Sequence, residues 1–191
     1  MSETVRTFVA VEMPPEVRRF LGECQDRLRR AGGDVRWVRP ELIHLTLVFL
    51  GEVPMDSLGD LEAAVRESVA PFGPLTLRVQ GAGRFPPRGA PRVVWIGVEE
   101  STGGLLDLQK ALAGATAALA EKVEDRAYQA HLTLGRVKSG KNARQLGEAV
   151  DAMAGHAGPA LEAREVTIFK SELSPRGPTY TPLARIALSG E

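Results

Sequence analysis

The tetrapeptide His-Leu-Thr-Leu occurs twice in this chain, at residues 44–47 and again at residues 131–134. The sequence contains only 3 histidines, and two of them begin this repeat. With 10 threonines in 191 residues, a given histidine has roughly a 5% chance of a threonine two places later, so an accidental duplication is improbable. The repeat therefore predicts two equivalent segments, each with a histidine and a threonine in the same local geometry.

The geometry of a β-strand indicates what this repeat places together. Alternate residues of a strand point to opposite faces, so His44 and Thr46 share one face while the two leucines share the other. The same holds for His131 and Thr133. We expect two strands that bury their leucines in a core and face each other across one cleft. Two imidazoles and two hydroxyl groups would then converge on that cleft.

This set of groups favours phosphodiester chemistry at neutral pH. An imidazole titrates near pH 7, so one can act as a base while its partner acts as an acid. A threonine hydroxyl can donate a hydrogen bond to a negatively charged oxygen. We therefore expect a reaction that requires neither a metal ion nor another cofactor.

The composition sets limits on size and on partners. At 191 residues, with 43% apolar and 25% charged residues, the chain fits one globular domain or two closely packed lobes. The formal net charge is zero, which argues against a protein that coats long nucleic acid but allows one that grips an RNA end. The basic residues are 19 Arg and 5 Lys. Arginine is the better bidentate partner for phosphate, although a GC-rich coding sequence explains the same excess.

Cysteine content and hydropathy predict the cellular location. The single cysteine, Cys24, excludes an intramolecular disulfide framework, and its amphipathic surroundings predict a buried structural thiol. No run approaches the roughly 20 apolar residues that a membrane-spanning helix needs. The N-terminal residues lack an apolar signal core. We expect a cytoplasmic protein without membrane association.

The pattern of apolar residues predicts alternating strands and helices. A helix is expected between the Pro14-Pro15 and Gly32-Gly33 pairs, and a Pro- and Gly-rich loop at 83–92. The other predicted helices lie at 57–70, 105–123 and 142–155. The predicted strands lie at 7–13, 35–38, 43–50, 75–81, 93–98, 130–137, 161–169 and 179–188.

The order of these elements predicts the fold class. Strand–helix–strand units recur in each half, with one His-Leu-Thr-Leu strand in each, and several strand pairs have short connections. Short connections favour antiparallel pairing. We expect an α+β fold whose residues 1–191 form a single bilobal domain. Its two lobes would be related by a pseudo-twofold axis, with antiparallel sheets lining a central cleft and helices outside.

The paired motifs and their surroundings resemble those of the two-histidine phosphoesterase superfamily, and in particular its RNA 2′,3′-cyclic phosphodiesterase branch, also called 2′-5′ RNA ligases. The motif segments are RWVRPELIHLTLVFLGEV at 36–53 and AYQAHLTLGRV at 127–137. The supporting segments are RTFVAVEMP at 6–14, GRFPP at 83–87, RVVWIGV at 92–98 and SELSPRGPTYTPL at 171–183. In this group proline commonly precedes the second motif, where this chain has Ala130.

The resemblance implies a function and partners. It implies hydrolysis of a terminal 2′,3′-cyclic phosphate to a 2′-phosphate, with a reversible, ATP-independent 2′-5′ joining reaction. The substrates would be RNA 3′ ends that carry the cyclic phosphate, tRNA fragments among them. We expect a monomer.

The resemblance also implies roles for the motif residues. It makes His44 the proton donor to the leaving 3′ oxygen and His131 the proton acceptor that activates water, with Thr46 and Thr133 on the phosphate. The sequence itself does not distinguish the two histidines.

Three further residues are candidates for substrate binding. Arg136 matches the basic residue that follows the second motif, but strict alternation places it on the leucine face. It reaches the phosphate only if the strand bulges near Gly135. Tyr128 and Phe49 are candidates for stacking on a base, and each has the alternative of a core or cleft-wall position.

Three alternative functions remain open at this point. Histidines also bind zinc, but two histidines 87 positions apart without a nearby carboxylate make a poor ligand set for a metal hydrolase. A small cyclic phosphate or a 2′-5′ oligonucleotide is an alternative substrate. A module that binds RNA ends without turnover is the alternative from another class.

Overall fold

The computed structural model describes residues 3–122, 126–175 and 177–190, and in these ranges it contains four α-helices, three short 3-10 helices and nine strands. The α-helices are α1 (Pro15–Arg29), α2 (Leu58–Val69), α3 (Gly104–Thr116) and α4 (Ala143–Asp151). The strands are β1 (Thr4–Glu12), β2 (Val35–Trp37), β3 (His44–Pro54), β4 (Leu75–Phe85), β5 (Val93–Glu99), β6 (His131–Val137), β7 (Ala157–Ala163), β8 (Glu165–Ser174) and β9 (Gly177–Ala187).

The strands form two antiparallel sheets, which confirms the predicted α+β class. One sheet has the order β3-β1-β8-β9 and the other the order β2-β6-β5-β4-β7. In each sheet a motif strand pairs with a strand that precedes it across a helix, β3 with β1 and β6 with β5. The connectivity around the two motifs is therefore repeated.

The halves of the chain also exchange strands between the sheets. β2, from the N-terminal half, forms the edge of the sheet that contains β6. β8 and β9, from the C-terminal end, complete the sheet that contains β3. Each sheet is thus assembled from both halves of the sequence, and this exchange brings β2 beside the second motif.

The leucines of both motifs lie in one core. Leu45, Leu47, Leu132 and Leu134 are at most 2% exposed and belong to the same cluster of buried apolar residues. Burial of a leucine side chain contributes about 1.5–3 kcal/mol. The four leucines therefore hold the two motif strands against the shared core and leave the opposite faces for the cleft.

Helix α1 covers this core as the sequence predicts. Pro15 occupies its first turn, and Gly32 takes a positive φ of 69° shortly after its end. Its buried stripe includes Cys24, which has no exposed surface. Burial raises the pKa of the Cys24 thiol to about 11, so the thiol is structural, as predicted.

The predicted strand at 161–169 is wrong, because the chain changes sheets within it. β7 ends at Ala163, which pairs with Leu75 of β4, and β8 begins at Glu165, which pairs with Ala187 of β9. Only Arg164 separates the two strands. Both segments contain strand-forming residues, so composition hides the point where the backbone leaves one sheet for the other.

The predicted helix at 105–123 is too long. The α-helix ends at Thr116, and a 3-10 turn continues to Leu119, while Val123 lies outside the described residues. The Thr116 hydroxyl donates a hydrogen bond to the Leu112 carbonyl, a side-chain bond that competes with the helical pattern.

Strand β4 is longer than predicted, since it extends to Phe85 inside the predicted loop at 83–92. Its last residues pair with the start of β5. Within the described ranges, every helix is too short or too polar to cross a membrane.

Candidate active site

The two motifs meet in one cleft between the sheets, with a volume of about 630 Å³. His44 and Thr46 line it from β3, and His131 and Thr133 line it from β6. The structure therefore brings together the four side chains that the repeat placed on the outer faces of its strands.

His44 lies in an aromatic environment. Its ring stacks on Phe8 with the centroids 4.6 Å apart, and the ring of Tyr180 is nearly perpendicular to it with the centroids 5.1 Å apart. Its Nδ1 lies 2.9 Å from the carbonyl oxygen of Leu42.

His131 has a similar environment on the other sheet. Phe85 meets it edge-on with the centroids 5.1 Å apart, and Trp95 lies at 6.0 Å. Its Nδ1 lies 2.7 Å from the carbonyl oxygen of Gln129. Both histidines therefore use the same nitrogen to reach the carbonyl two residues earlier in the chain.

This shared contact sets the tautomer of both imidazoles. A carbonyl oxygen only accepts hydrogen bonds, so Nδ1 of His44 and of His131 must carry a proton and donate it. The proton that each ring gains or loses near neutral pH therefore resides on Nε2. Two rings that titrate at Nε2 can exchange protons with a substrate held between them.

Burial lowers the pKa of both histidines, but the neighbouring charges act in opposite directions. The hydrogen bond to Leu42 raises the pKa of His44, and so does the negative charge of Glu12, the cross-strand partner of His44. The hydrogen bond to Gln129 raises the pKa of His131, whereas the positive charge of Arg136 lowers it further. The charges around the two rings thus break a symmetry that the sequence repeat leaves intact.

Arg136 lies in the cleft because β6 bulges just before it. In the pairing of β5 with β6, Val94 lies opposite Gly135 and the next residue, Trp95, lies opposite Thr133, so Leu134 is the extra residue. This extra residue breaks the alternation, so that Arg136 is exposed and lines the same cleft as His131. The condition stated from the sequence, a bulge near Gly135, is met.

A buried glutamine that sequence reasoning missed supports this bulge. Gln25 of α1 is 1% exposed, and its Nε2 donates to the carbonyl oxygens of Leu134, at 2.9 Å, and Val38, at 2.6 Å. The backbone N–H of Val38 donates to the same Leu134 carbonyl at 2.9 Å. The available signal was a polar residue on the apolar stripe of an amphipathic helix.

The two aromatic candidates lie in different places. Phe49 is 47% exposed and lines the cleft, and the guanidinium of Arg6 lies 4.7 Å from its ring centroid. Tyr128 packs against the core, and its hydroxyl donates a 3.0 Å hydrogen bond to the carbonyl oxygen of Thr46. Burial raises the pKa of Tyr128. This placement supports contact with a base for Phe49 and does not support it for Tyr128.

Among residues 3–122, 126–175 and 177–190, no three His, Cys, Asp or Glu side chains are grouped closely enough to hold a metal ion.

Each half of the chain matches the model of one family, described as LigT-like phosphoesterase. The first match covers residues 11–95 and the second covers residues 96–180. Two successive matches agree with the repeated connectivity around the two motifs.

Named relatives match over nearly their whole length. The chain is 36% identical, over 179 residues, to the RNA 2′,3′-cyclic phosphodiesterase of Methanothermobacter thermautotrophicus, covering 94% of this chain and 96% of that protein. It is 35% identical, over 199 residues, to the protein of the same name from Thermus thermophilus, covering 98% and 92%.

Solved structures show the same fold. A crystal structure of a protein from Thermus thermophilus superposes with a TM-score of 0.78 at 32% identity, covering 97% of this chain and 99% of that one. The E. coli LigT complexed with 3′-AMP superposes with a TM-score of 0.74 at 27% identity, covering 97% and 99%.

Proposed function

The chain belongs to the LigT-like phosphoesterase family, and we propose that its cleft hydrolyses the 2′,3′-cyclic phosphate at an RNA 3′ end to a 2′-phosphate. The observation that carries this proposal is that two imidazoles line one cleft together with two threonine hydroxyls. Each imidazole donates a hydrogen bond from Nδ1 to a backbone carbonyl oxygen, so its Nε2 is the atom that exchanges a proton. The names of the relatives support the same substrate.

The reaction needs two proton transfers on opposite sides of phosphorus. A base removes a proton from water as its oxygen attacks phosphorus, and an acid protonates the 3′ oxygen as its bond to phosphorus breaks. The products are a 2′-phosphomonoester and a free 3′-hydroxyl. Histidines from two different sheets are suited to reach the phosphorus from its two sides, and no other proton carrier is required.

The charges around the rings support a division of labour between the histidines. Arg136 disfavours the charged form of His131, so Nε2 of His131 is left unprotonated and can accept the proton of water. Glu12 favours the charged form of His44 and so opposes the burial that lowers its pKa, which makes His44 the better placed of the two rings to hold the proton that the leaving oxygen receives. We therefore assign His44 as the proton donor and His131 as the proton acceptor.

The remaining cleft residues bind the substrate in this proposal. Thr46 and Thr133 donate hydrogen bonds to the non-bridging phosphate oxygens, where negative charge grows in the transition state. Arg136 adds a positive charge beside the phosphate. Phe49, with its ring partly covered by Arg6, offers a surface for the terminal base.

Four properties of the substrate, reaction, assembly and location remain predictions. They are the use of tRNA fragments as substrates, the reverse 2′-5′ joining reaction, the monomeric state and the cytoplasmic location. That residues 1–191 act as a single bilobal domain is also our proposal. It is supported by the continuous cluster of buried apolar residues that joins both sheets.

The proposal is tested by incubating the purified protein with an RNA oligonucleotide that ends in a 2′,3′-cyclic phosphate, in the presence of EDTA. The products are separated into 2′- and 3′-phosphates. We expect the 2′-phosphate, formed without added metal or nucleotide. A 3′-phosphate product, or activity that EDTA abolishes and Zn²⁺ or Mg²⁺ restores, would contradict the proposal.

The third histidine provides a matched control. His156 stacks on Phe20, with the ring centroids 5.4 Å apart, and does not line the cleft. His44→Ala and His131→Ala should each lower turnover by roughly 10²–10⁴-fold, whereas His156→Ala should retain it. Binding of the RNA end without any turnover by the unaltered protein would favour the binding-module alternative.

A further inference from the structure

Two arginines lie directly opposite each other on neighbouring strands at the cleft. In the pairing of β2 with β6, Arg36 is the cross-strand partner of Arg136. Both side chains are exposed and line the cleft. Like charges in directly opposed positions destabilise a sheet, so this arrangement calls for a function that requires two positive charges side by side.

The cleft as a whole is strongly basic. Its lining includes four arginines, Arg6, Arg36, Arg39 and Arg136, and no Asp or Glu among the described residues. The chain carries 24 basic and 24 acidic residues, so the imbalance is local to the cleft. A local excess of arginine without carboxylates indicates a site for more than one anionic group.

Arg36 lies at a different part of the cleft from the histidines. It belongs to the edge strand β2, one strand farther from the sheet centre than the β6 histidine. Its guanidinium approaches Gly177 at the start of β9, where a β-carbon would lie 3.9 Å from Nη2. Arg36 therefore reaches from the edge of one sheet towards the β8–β9 hairpin of the other.

The terminal phosphate does not account for Arg36. A 2′,3′-cyclic phosphodiester carries one negative charge, and Thr46, Thr133 and Arg136 already offer it two hydroxyl donors and one cation. A second phosphate would explain why another arginine is held beside Arg136.

We propose that Arg36 binds the phosphodiester one nucleotide upstream of the cyclic phosphate, so that the site selects an RNA 3′ end over a mononucleoside 2′,3′-cyclic phosphate. This inference rests on the proposed function, because it extends the same cleft by one nucleotide. Arg39, two residues after β2, is also exposed and adds positive charge along the same path. The guanidinium of Arg36 suits a phosphate because it donates two parallel hydrogen bonds.

The test compares three substrates with one reactive end. They are a mononucleoside 2′,3′-cyclic phosphate without a 5′-phosphate, the dinucleotide that ends in the same group, and that dinucleotide with an uncharged methylphosphonate linkage. We expect kcat/KM to be at least roughly tenfold higher for the charged dinucleotide than for either of the others, as for one hydrogen bond to a charged group. In Arg36→Gln this preference should fall towards unity.

Arg19→Gln is the matched control, because Arg19 is an exposed arginine of α1 that does not line the cleft. It should keep the wild-type preference. Arg36→Gln should also unfold at the same or a higher temperature than the wild type at low salt, since it removes one of two like charges at opposed strand positions.

Two results would overturn the proposal. One is equal kcat/KM of the unaltered enzyme for the charged and methylphosphonate dinucleotides. The other is an Arg36→Gln variant that keeps the preference, or that unfolds at a markedly lower temperature. Failure of the unaltered protein to hydrolyse any of the three substrates would instead contradict the proposed function.

Discussion

The hydroxyl of Tyr128 donates a 3.0 Å hydrogen bond to the backbone carbonyl oxygen of Thr46, which links the approach to the second motif with the strand of the first. Tyr128 lies three residues before His131, and 82 positions separate it from Thr46. The bond therefore holds the two motif strands in a fixed relation behind the cleft. This bond gives Tyr128 a positioning role rather than contact with a base.

Tyr128→Phe tests this function, because it removes the hydroxyl and keeps the ring. Losing one net hydrogen bond costs about 1 kcal/mol of the free energy of unfolding, which urea denaturation measures. We expect kcat/KM to fall several-fold as the two strands loosen. A ring that stacks on a base needs no hydroxyl, so unchanged stability and unchanged kcat/KM would favour the stacking role.

The threonine hydroxyls are tested by Thr46→Ala and Thr133→Ala. Removing one preorganised donor to a developing oxyanion costs on the order of 3 kcal/mol, or roughly a hundredfold in rate. The matched controls are Thr46→Ser and Thr133→Ser, which keep a hydroxyl and should retain most of the activity. Full activity in both alanine variants would show that these hydroxyls do not contact the phosphate.

The placement of the four motif side chains in one cleft could be predicted, because it follows from short sequence patterns. The spacing of His44 and Thr46, repeated at His131 and Thr133, needs only strand alternation to place the four groups on outer faces. The bulge that turns Arg136 towards the cleft could be stated only as a condition. A bulge depends on how β5 and β6 pair, which is a long-range property.

Other features depend on contacts between distant segments and were not predictable. The exchange of β2 into the second sheet pairs Arg36 with Arg136, and no local pattern encodes it. The same holds for the change of sheet at Arg164, which falls within a continuous strand-forming stretch. The charges that distinguish His44 from His131 likewise depend on strand pairing. The pairing of β1 with β3 places Glu12 opposite His44, and the bulge in the pairing of β5 with β6 turns Arg136 to the face of His131.

Gln25→Met tests the support of the bulge in β6. Methionine has a similar length but cannot donate to the carbonyl oxygens of Leu134 and Val38, so one or two buried acceptors lose a partner. We expect the free energy of unfolding to fall by about 1–3 kcal/mol and kcat/KM to fall with it as Arg136 moves. Cys24→Ala, at the neighbouring buried position of α1, is the comparison: its stability should fall, but its kcat/KM should not. Unchanged activity in Gln25→Met would show that the bulge does not depend on this amide.

Arg136→Gln tests the electrostatic distinction between the histidines through the pH dependence of kcat/KM. Arg136 lowers the pKa of His131, so removing it should raise that pKa. With His131 as the base, activity is lost when His131 becomes protonated, which gives the acidic limb of the profile. That limb should therefore move to higher pH, while the overall rate falls through loss of the phosphate contact. Movement of the basic limb alone would make His131 the acid.

In the proposed mechanism His44 protonates the leaving oxygen and His131 activates water, and a change of leaving group distinguishes these two roles. A nitrophenyl phosphodiester has a leaving group that needs no proton, so a variant that lacks the acid should regain activity on it. Rates of His44→Ala and His131→Ala are measured on this substrate and on the cyclic phosphate, each relative to the unaltered enzyme. We predict that the activated substrate restores His44→Ala far more than His131→Ala. Restoration of His131→Ala instead would reverse the two roles, and equal insensitivity of both variants would contradict acid–base catalysis by this pair.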